Sequence, residues 1–296
     1  MNRISKLFLA AILSLSLAGV SLAGDFTLNP GTITGCGACT SPVSDVFGFT
    51  FVGTSFIQNN LGADNVLSAG DTFVEYGAIT ATSILSAPST PILPLLTGLN
   101  NNWQLGAIFN GLAGVNTSVG GGTIAEFAFT PGAGSISLYA EPINGAAPHN
   151  PNNPATIANG VLVATLEVLS GSGSLDTTGA GTVDGTVNLL LQFVDLPVAG
   201  FWEYLGLDID VGTTTFLAIT DSNNNVFNAP GSTINNFNSF FGIGSSNSAP
   251  GQIYTSNDGS VQLALVAVPE PASMMLLGFG LLGSAVWVRR RSRKDR

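Results

Sequence analysis

Phe47, Phe49 and Phe51 alternate with Gly48 and Thr50, a two-residue period that puts three aromatic rings on one face of a strand. Phe127 and Phe129 repeat the pattern. Residues 124–129, the glycine-containing link Thr130-Pro131-Gly132-Ala133-Gly134 and residues 135–139 read as two strands of a hairpin. A second hairpin is predicted from residues 161–169 and from Leu175 onward, turning at Ser170-Gly171-Ser172-Gly173. Further strands are expected at 72–79, 186–194, 213–219 and 260–266, and no long helical period competes with them. The stretches 87–102, 143–159 and 221–257, rich in Pro, Asn, Gly or Ser, are predicted to be loops. With no internal repeat and no linker between two compositions, residues 24–267 read as one all-β, sandwich-like domain.

The two ends follow a different pattern. Arg3 and Lys6 precede an apolar run from Leu7 to Leu17, closed by Ser21-Leu22-Ala23, which is the order of a secretory signal peptide spanning residues 1–23. The run is about a dozen residues, short of the roughly twenty that a spanning helix needs. At the other end, Pro269-Glu270-Pro271 precedes an apolar stretch from Met274 to Val288, followed by Arg289, Arg290, Arg291, Arg293, Lys294 and Arg296. Two prolines around Glu270 can continue neither a helix nor a sheet ladder, so the chain there is extended and open to a protease. The apolar stretch is expected to be a transmembrane helix, its shortness met by local thinning and snorkelling arginines. The cluster from Arg289 to Arg291 acts as a stop-transfer signal that keeps this end in the cytoplasm. Gly278, Gly280 and Gly283 fit G-x-G-x-x-G by letter, but inside an apolar span they are packing residues, since a dinucleotide site needs that turn between a strand and a helix.

This order of parts in residues 268–296 resembles the PEP-CTERM sorting signal. The resemblance implies that an exosortase, an integral-membrane cysteine transpeptidase, recognises and cuts the tail near Pro269-Glu270-Pro271. It also implies export across the inner membrane, transient anchoring there, and a final place at the cell surface or outside the cell, in association with exopolysaccharide or the cell envelope. Asp25-Phe26-Thr27-Leu28-Asn29-Pro30-Gly31, the segment 134–139 and the segment 171–175 resemble flocculation-associated PEP-CTERM proteins, which implies a role in biofilms or flocs and brings no catalytic residue.

Charge sharpens this picture. All eight Lys and Arg lie in the first six residues or after Val288, while 16 of the 18 acids lie between Gly24 and Val268. The exported domain is therefore wholly anionic. Without Lys or Arg it has no phosphate clamp and no guanidinium to read a base, which excludes nucleic acid as a partner, and lysine Schiff-base chemistry is absent. No cofactor is expected, with calcium as the candidate counterion for the carboxylates.

Three groups of residues could carry chemistry. Cys36 and Cys39 are the only cysteines; in an exported protein, in a glycine-flanked loop, they read as a local disulfide and not as a redox pair. His149 is the only histidine and lies in a Pro- and Asn-rich run, which places it in an exposed loop and leaves a Ser-His-Asp triad without its nucleophile elbow. Asp208 and Asp210 would share one face if 206–211 is a strand, with Glu203 nearby between Trp202 and Tyr204. Such carboxylates fit calcium or sugar binding, or a glycoside hydrolase, or are strand-end acids with no such role. Asp221-Ser222-Asn223-Asn224-Asn225 opens like a calcium loop, but Val226 stands where glycine is needed and Ser232 where the bidentate glutamate is needed. The expected product is a non-enzymatic surface protein, with a calcium- or carbohydrate-binding module as the alternative.

Overall fold

The computed structural model describes residues 20–22, 26–39, 42–120, 124–145, 147–176, 184–209, 211 and 214–267. They fall in a compact unit Val20–Leu265; a second unit, Met1–Gly19 with Val266–Arg296, lies outside the described residues except for 266 and 267. The strands are β1 (Val20–Leu22), β2 (Phe26–Leu28), β3 (Val43–Val46), β4 (Gly48–Asn60), β5 (Thr72–Ala87), β6 (Thr90–Pro91), β7 (Trp103–Gly120), β8 (Ile124–Phe129), β9 (Ser135–Pro142), β10 (Val161–Asp176), β11 (Asp184–Asp195), β12 (Trp202–Tyr204), β13 (Leu207–Asp208), β14 (Thr214–Phe227) and β15 (Gln252–Ala267).

The all-β expectation holds, and the strands form two sheets. The larger sheet has a property that strand spacing alone did not reveal. Each strand pairs with the next around a ring of β4, β5, β7, β8 with β9, β10, β11, β14 and β15, and β15 pairs back onto β4 from Gln252↔Gln58 to Gln262↔Gly48. Eight strand positions closed in this way make an up-and-down barrel, the size at which side chains fill the interior or leave room for one small ligand. β1, which falls in the predicted signal peptide, pairs with β15 off this ring and is no part of its closure.

The alternation along each strand decides what faces the interior. Along β11, Val187, Leu189, Leu191 and Phe193 are buried while Thr186, Asn188 and Val194 are exposed. Along β15, Asn257 and Leu263 are buried while Ser256 and Asp258 face out. A barrel that spans a membrane shows the reverse along its strands, apolar outside and polar inside. Phe49 and Phe51 are buried in β4 as the alternation predicts, with Phe47 buried just before it. Phe73, Phe127 and Phe129 pack edge to face, with centroids 5.4 to 5.7 Å apart, and Gly114 of β7 makes room, because a Cβ there would run into the Phe73 ring.

Two predicted turns are corrected. β8 and β9 do not pair with each other; both pair with β7 and with β10, end to end. The link 130–134 is therefore an interruption within one strand position. Thr130 N donates to Ala113 O and Gly132 N to Val168 O, so the link stays bonded to both neighbours. Gly134, at φ 74°, passes so close to Gly111 that a side chain would collide with the backbone. The second predicted turn, 170–173, lies inside β10 and pairs with 187–190 across a register shift after Val168, so serine and glycine there mark a bulge and not a reversal.

The predicted loop 221–257 contains the end of β14, the helix Gly231–Phe241 and the start of β15. Phe237 and Phe241 of the helix pack with Phe56, Tyr76 and Tyr254 on the outside of the barrel. β7, 18 residues long, was not anticipated; its glycines at 106, 111 and 114 break the apolar alternation.

The smaller sheet runs β13-β12-β2-β3. Its Trp202 is 1 % exposed, donates its indole N–H to Val163 O of β10 at 2.9 Å and packs edge to face on Phe49 of β4 and Phe193 of β11. The small sheet thus closes one end of the barrel with apolar side chains.

Candidate functional site

The barrel interior holds the main cavity, about 90 Å³, lined by side chains from strands all around the ring. Most of the lining is apolar, including Phe51, Leu138, Leu189 and Val261, with a polar corner at Glu75, Ser222, Asn224 and Asn257. The strand period explains the corner: Glu75 and Phe73 are inward neighbours on β5, and Ser222 and Asn224 on β14. Asn257 Nδ2 donates to Ser55 Oγ at 2.5 Å, Thr255 Oγ1 donates to Asn257 Oδ1 at 3.0 Å, and Ser222 Oγ donates to Asn224 Oδ1 at 3.4 Å. Burial pushes the Glu75 carboxyl up to about 7, against the Ser55 hydrogen bond, which favours the charged form. Nothing in the sequence separated this acid from the others, because its inward position follows from β5 pairing with both β4 and β7.

A second polar group sits on the outside of the barrel. His149 is buried, which corrects its predicted exposure. Gly106 of β7 provides the space, since a Cβ there would sit 2.9 Å from His149 Nδ1. The backbone N–H of His149 donates to Gln104 Oε1 at 2.8 Å, Gln104 Nε2 donates to Glu141 Oε2 at 2.9 Å, and the ring Nε2 of His149 lies 3.4 Å from Glu141 Oε2. Burial lowers the imidazole to about 4, the Leu105 backbone opposing.

Glu75 and His149 pull stability in opposite directions with pH. Glu75 keeps its proton in the folded state between about 4.5 and 7, so its contribution is present below 4.5 and lost as pH rises through 7. His149 stays neutral when folded between about 4 and 6.5, so acidification through that window costs stability. Relative to wild type, Glu75→Gln is expected to gain up to about 3 kcal/mol as pH rises from 4.5 to 7.5, and His149→Gln to gain on going from pH 7 to 4. Urea unfolding at several pH values checks this; parallel pH profiles for wild type and Glu75→Gln would refute the buried carboxyl.

The predicted carboxylate group is rearranged. The expected strand 206–211 is only β13, and Leu205 and Gly206, at φ 54° and 75°, form the hairpin turn from β12. The pairing Glu203↔Asp208 then sets these two acids directly opposite each other, an unfavourable like-charge pair unless water or a cation screens it. Asp210 lies outside the described residues. Among the described residues, no cluster of three or more His, Cys, Asp or Glu could hold a metal ion. Cys36 and Cys39 are joined by a disulfide, Cα–Cα 5.2 Å, with both sulfurs within 3.7 Å of the Asn102 carbonyl oxygen.

Pro269, Glu270, Pro271, the apolar stretch 274–288 and Arg289, Arg290 and Arg291 lie outside the described residues; no helix among the described residues is long and apolar enough to cross a membrane. Comparison with curated proteins and with solved structures returns no match. Neither comparison shows a likeness to flocculation-associated proteins. Residues 267–291 match the family model of the PEP-CTERM protein-sorting motif. The chain therefore carries a PEP-CTERM sorting signal, which implies export, membrane-anchored sorting and processing by an exosortase.

Proposed function

We propose that the sorted domain is a non-enzymatic surface or matrix protein that binds the producing cell's exopolysaccharide and so takes part in biofilm or floc cohesion. The observation that carries this reading is the outward face of β11, β14 and β15. Thr186, Asn188, Asn223, Ser256 and Asp258 are exposed there, and the pairing Thr186↔Asn223 joins the rows. Amides and hydroxyls on a regular grid match sugar hydroxyls by exchanging donors and acceptors, and without Lys or Arg the face is suited to a neutral polysaccharide. Titration calorimetry of the full chain in lipid nanodiscs with the producer's polysaccharide should show binding. Asn188→Ala, Asn223→Ala and Ser256→Ala together should weaken it about tenfold. The absence of heat in wild type would sink the reading.

A second reading, calcium at Glu203 and Asp208, is favoured by their direct opposition across the hairpin. The same titration with calcium alone separates the two, because Asp208→Asn abolishes only the calcium signal.

A further inference from the structure

We infer that the barrel lumen is a binding site for a small, compact, largely apolar molecule that carries one neutral hydrogen-bonding group, such as an alcohol or a phenol. The cavity of about 90 Å³ is smaller than the dry apolar cavity of about 150 Å³ that takes benzene, so an occupant has at most the size of one six-membered ring, and a ring enters only as leucine side chains of the lining such as Leu138 and Leu191 give way. Its position follows from the fold: inward side chains from the ring strands surround it. Phe49 and Phe193 close it toward the small sheet, where Trp202 backs them. Phe73 and Phe127 narrow the interior toward the opposite end, where a smaller cavity of about 20 Å³ also touches Glu75.

The polar corner selects the ligand's head group. A carboxyl has more hydrogen-bonding capacity than the one hydroxyl of Ser55 uses, and in protonated form it both donates and accepts. Ser222, Asn224 and Asn257 border the same space and provide amide and hydroxyl groups. A carboxylate or phosphate head is disfavoured, because residues 24–267 hold no Lys or Arg to compensate a buried charge. A sugar chain is too large and too polar for this lining, so the lumen and the proposed outer polysaccharide face are separate sites.

The test is calorimetry of the full chain in lipid nanodiscs with phenol and with benzoate, empty nanodiscs giving the partitioning blank. Phenol is expected to bind and benzoate to bind at least about tenfold more weakly. Ala107, buried and lining the cavity, becomes a plug in Ala107→Leu, which should weaken phenol about tenfold or more. If that variant does not fold, Leu189→Ala enlarges the same space and should make 2-naphthol bind about tenfold tighter than it binds wild type. Undetectable phenol binding, equal affinity for benzoate, or affinities that neither lumen variant moves would overturn the assignment.

Discussion

Changing Pro269 and Pro271 together to alanine should leave the full-length chain in the inner membrane and reduce the released form by about tenfold or more. A protease that cuts a backbone bond must take the chain in extended form. The two prolines hold their own φ near −65° and push the residues before them, Val268 and Glu270, out of the helical region. Alanine removes both constraints and lets the apolar helix that is expected to follow extend upstream through Ala272 and Ser273. The matched residues 267–291 begin at Ala267, the last residue of β15. Fractionation followed by immunoblotting against the exported domain reads the result. Unchanged release from the double variant would sink the role of the prolines, whereas a Glu270→Gln variant that alone blocks release would move recognition to the carboxylate.

How much of this was legible in the sequence depends on which physical signal each feature leaves. Strict alternation made β4, β8 and β11 visible, because one polar and one apolar face leave a period of two. β7 left no such trace: Gly106 and Gly114 stand where side chains would clash with His149 or with the Phe73 ring, so close packing itself erased the pattern. Pairing partners were harder still. Thr130–Gly134 has the composition of a hairpin turn, and only its bonds to Ala113 and Val168 show it lying between two neighbours. Ring closure depends on β4 and β15 meeting across about two hundred residues of chain, and no local pattern encodes that. The same separation hid the candidate site, since Glu75 comes from β5 while Ser222, Asn224 and Asn257 come from β14 and β15, far later in the chain. The sorting motif matched at residues 267–291 was legible because its parts are contiguous and act through composition and order.

Trp202→Ala is expected to be the most destabilising single substitution, with a loss of about 4 kcal/mol in urea unfolding. Truncating a fully buried tryptophan costs about 3 to 5 kcal/mol through lost contacts and the cavity left behind. Here the indole also donates to Val163 O at 2.9 Å, and removing it leaves a buried carbonyl without that partner, a further cost of about 1 kcal/mol or more. The position adds a consequence for the lumen. Trp202 packs on Phe49 and Phe193, centroids 6.3 and 5.4 Å away, and both of those rings line the main cavity. Deleting the indole removes the support behind that end of the barrel, so the new void lies directly behind the existing one and the two rings gain freedom to move into it. Trp202→Phe keeps a ring against Phe49 and Phe193 and loses mainly the hydrogen bond, and should cost about 2 kcal/mol. A loss under about 1 kcal/mol for alanine would mean that the small sheet contributes little to the barrel it covers. A loss of the expected size, with phenol binding weakened in the same variant, would tie the stability of the cap to the closure of the lumen.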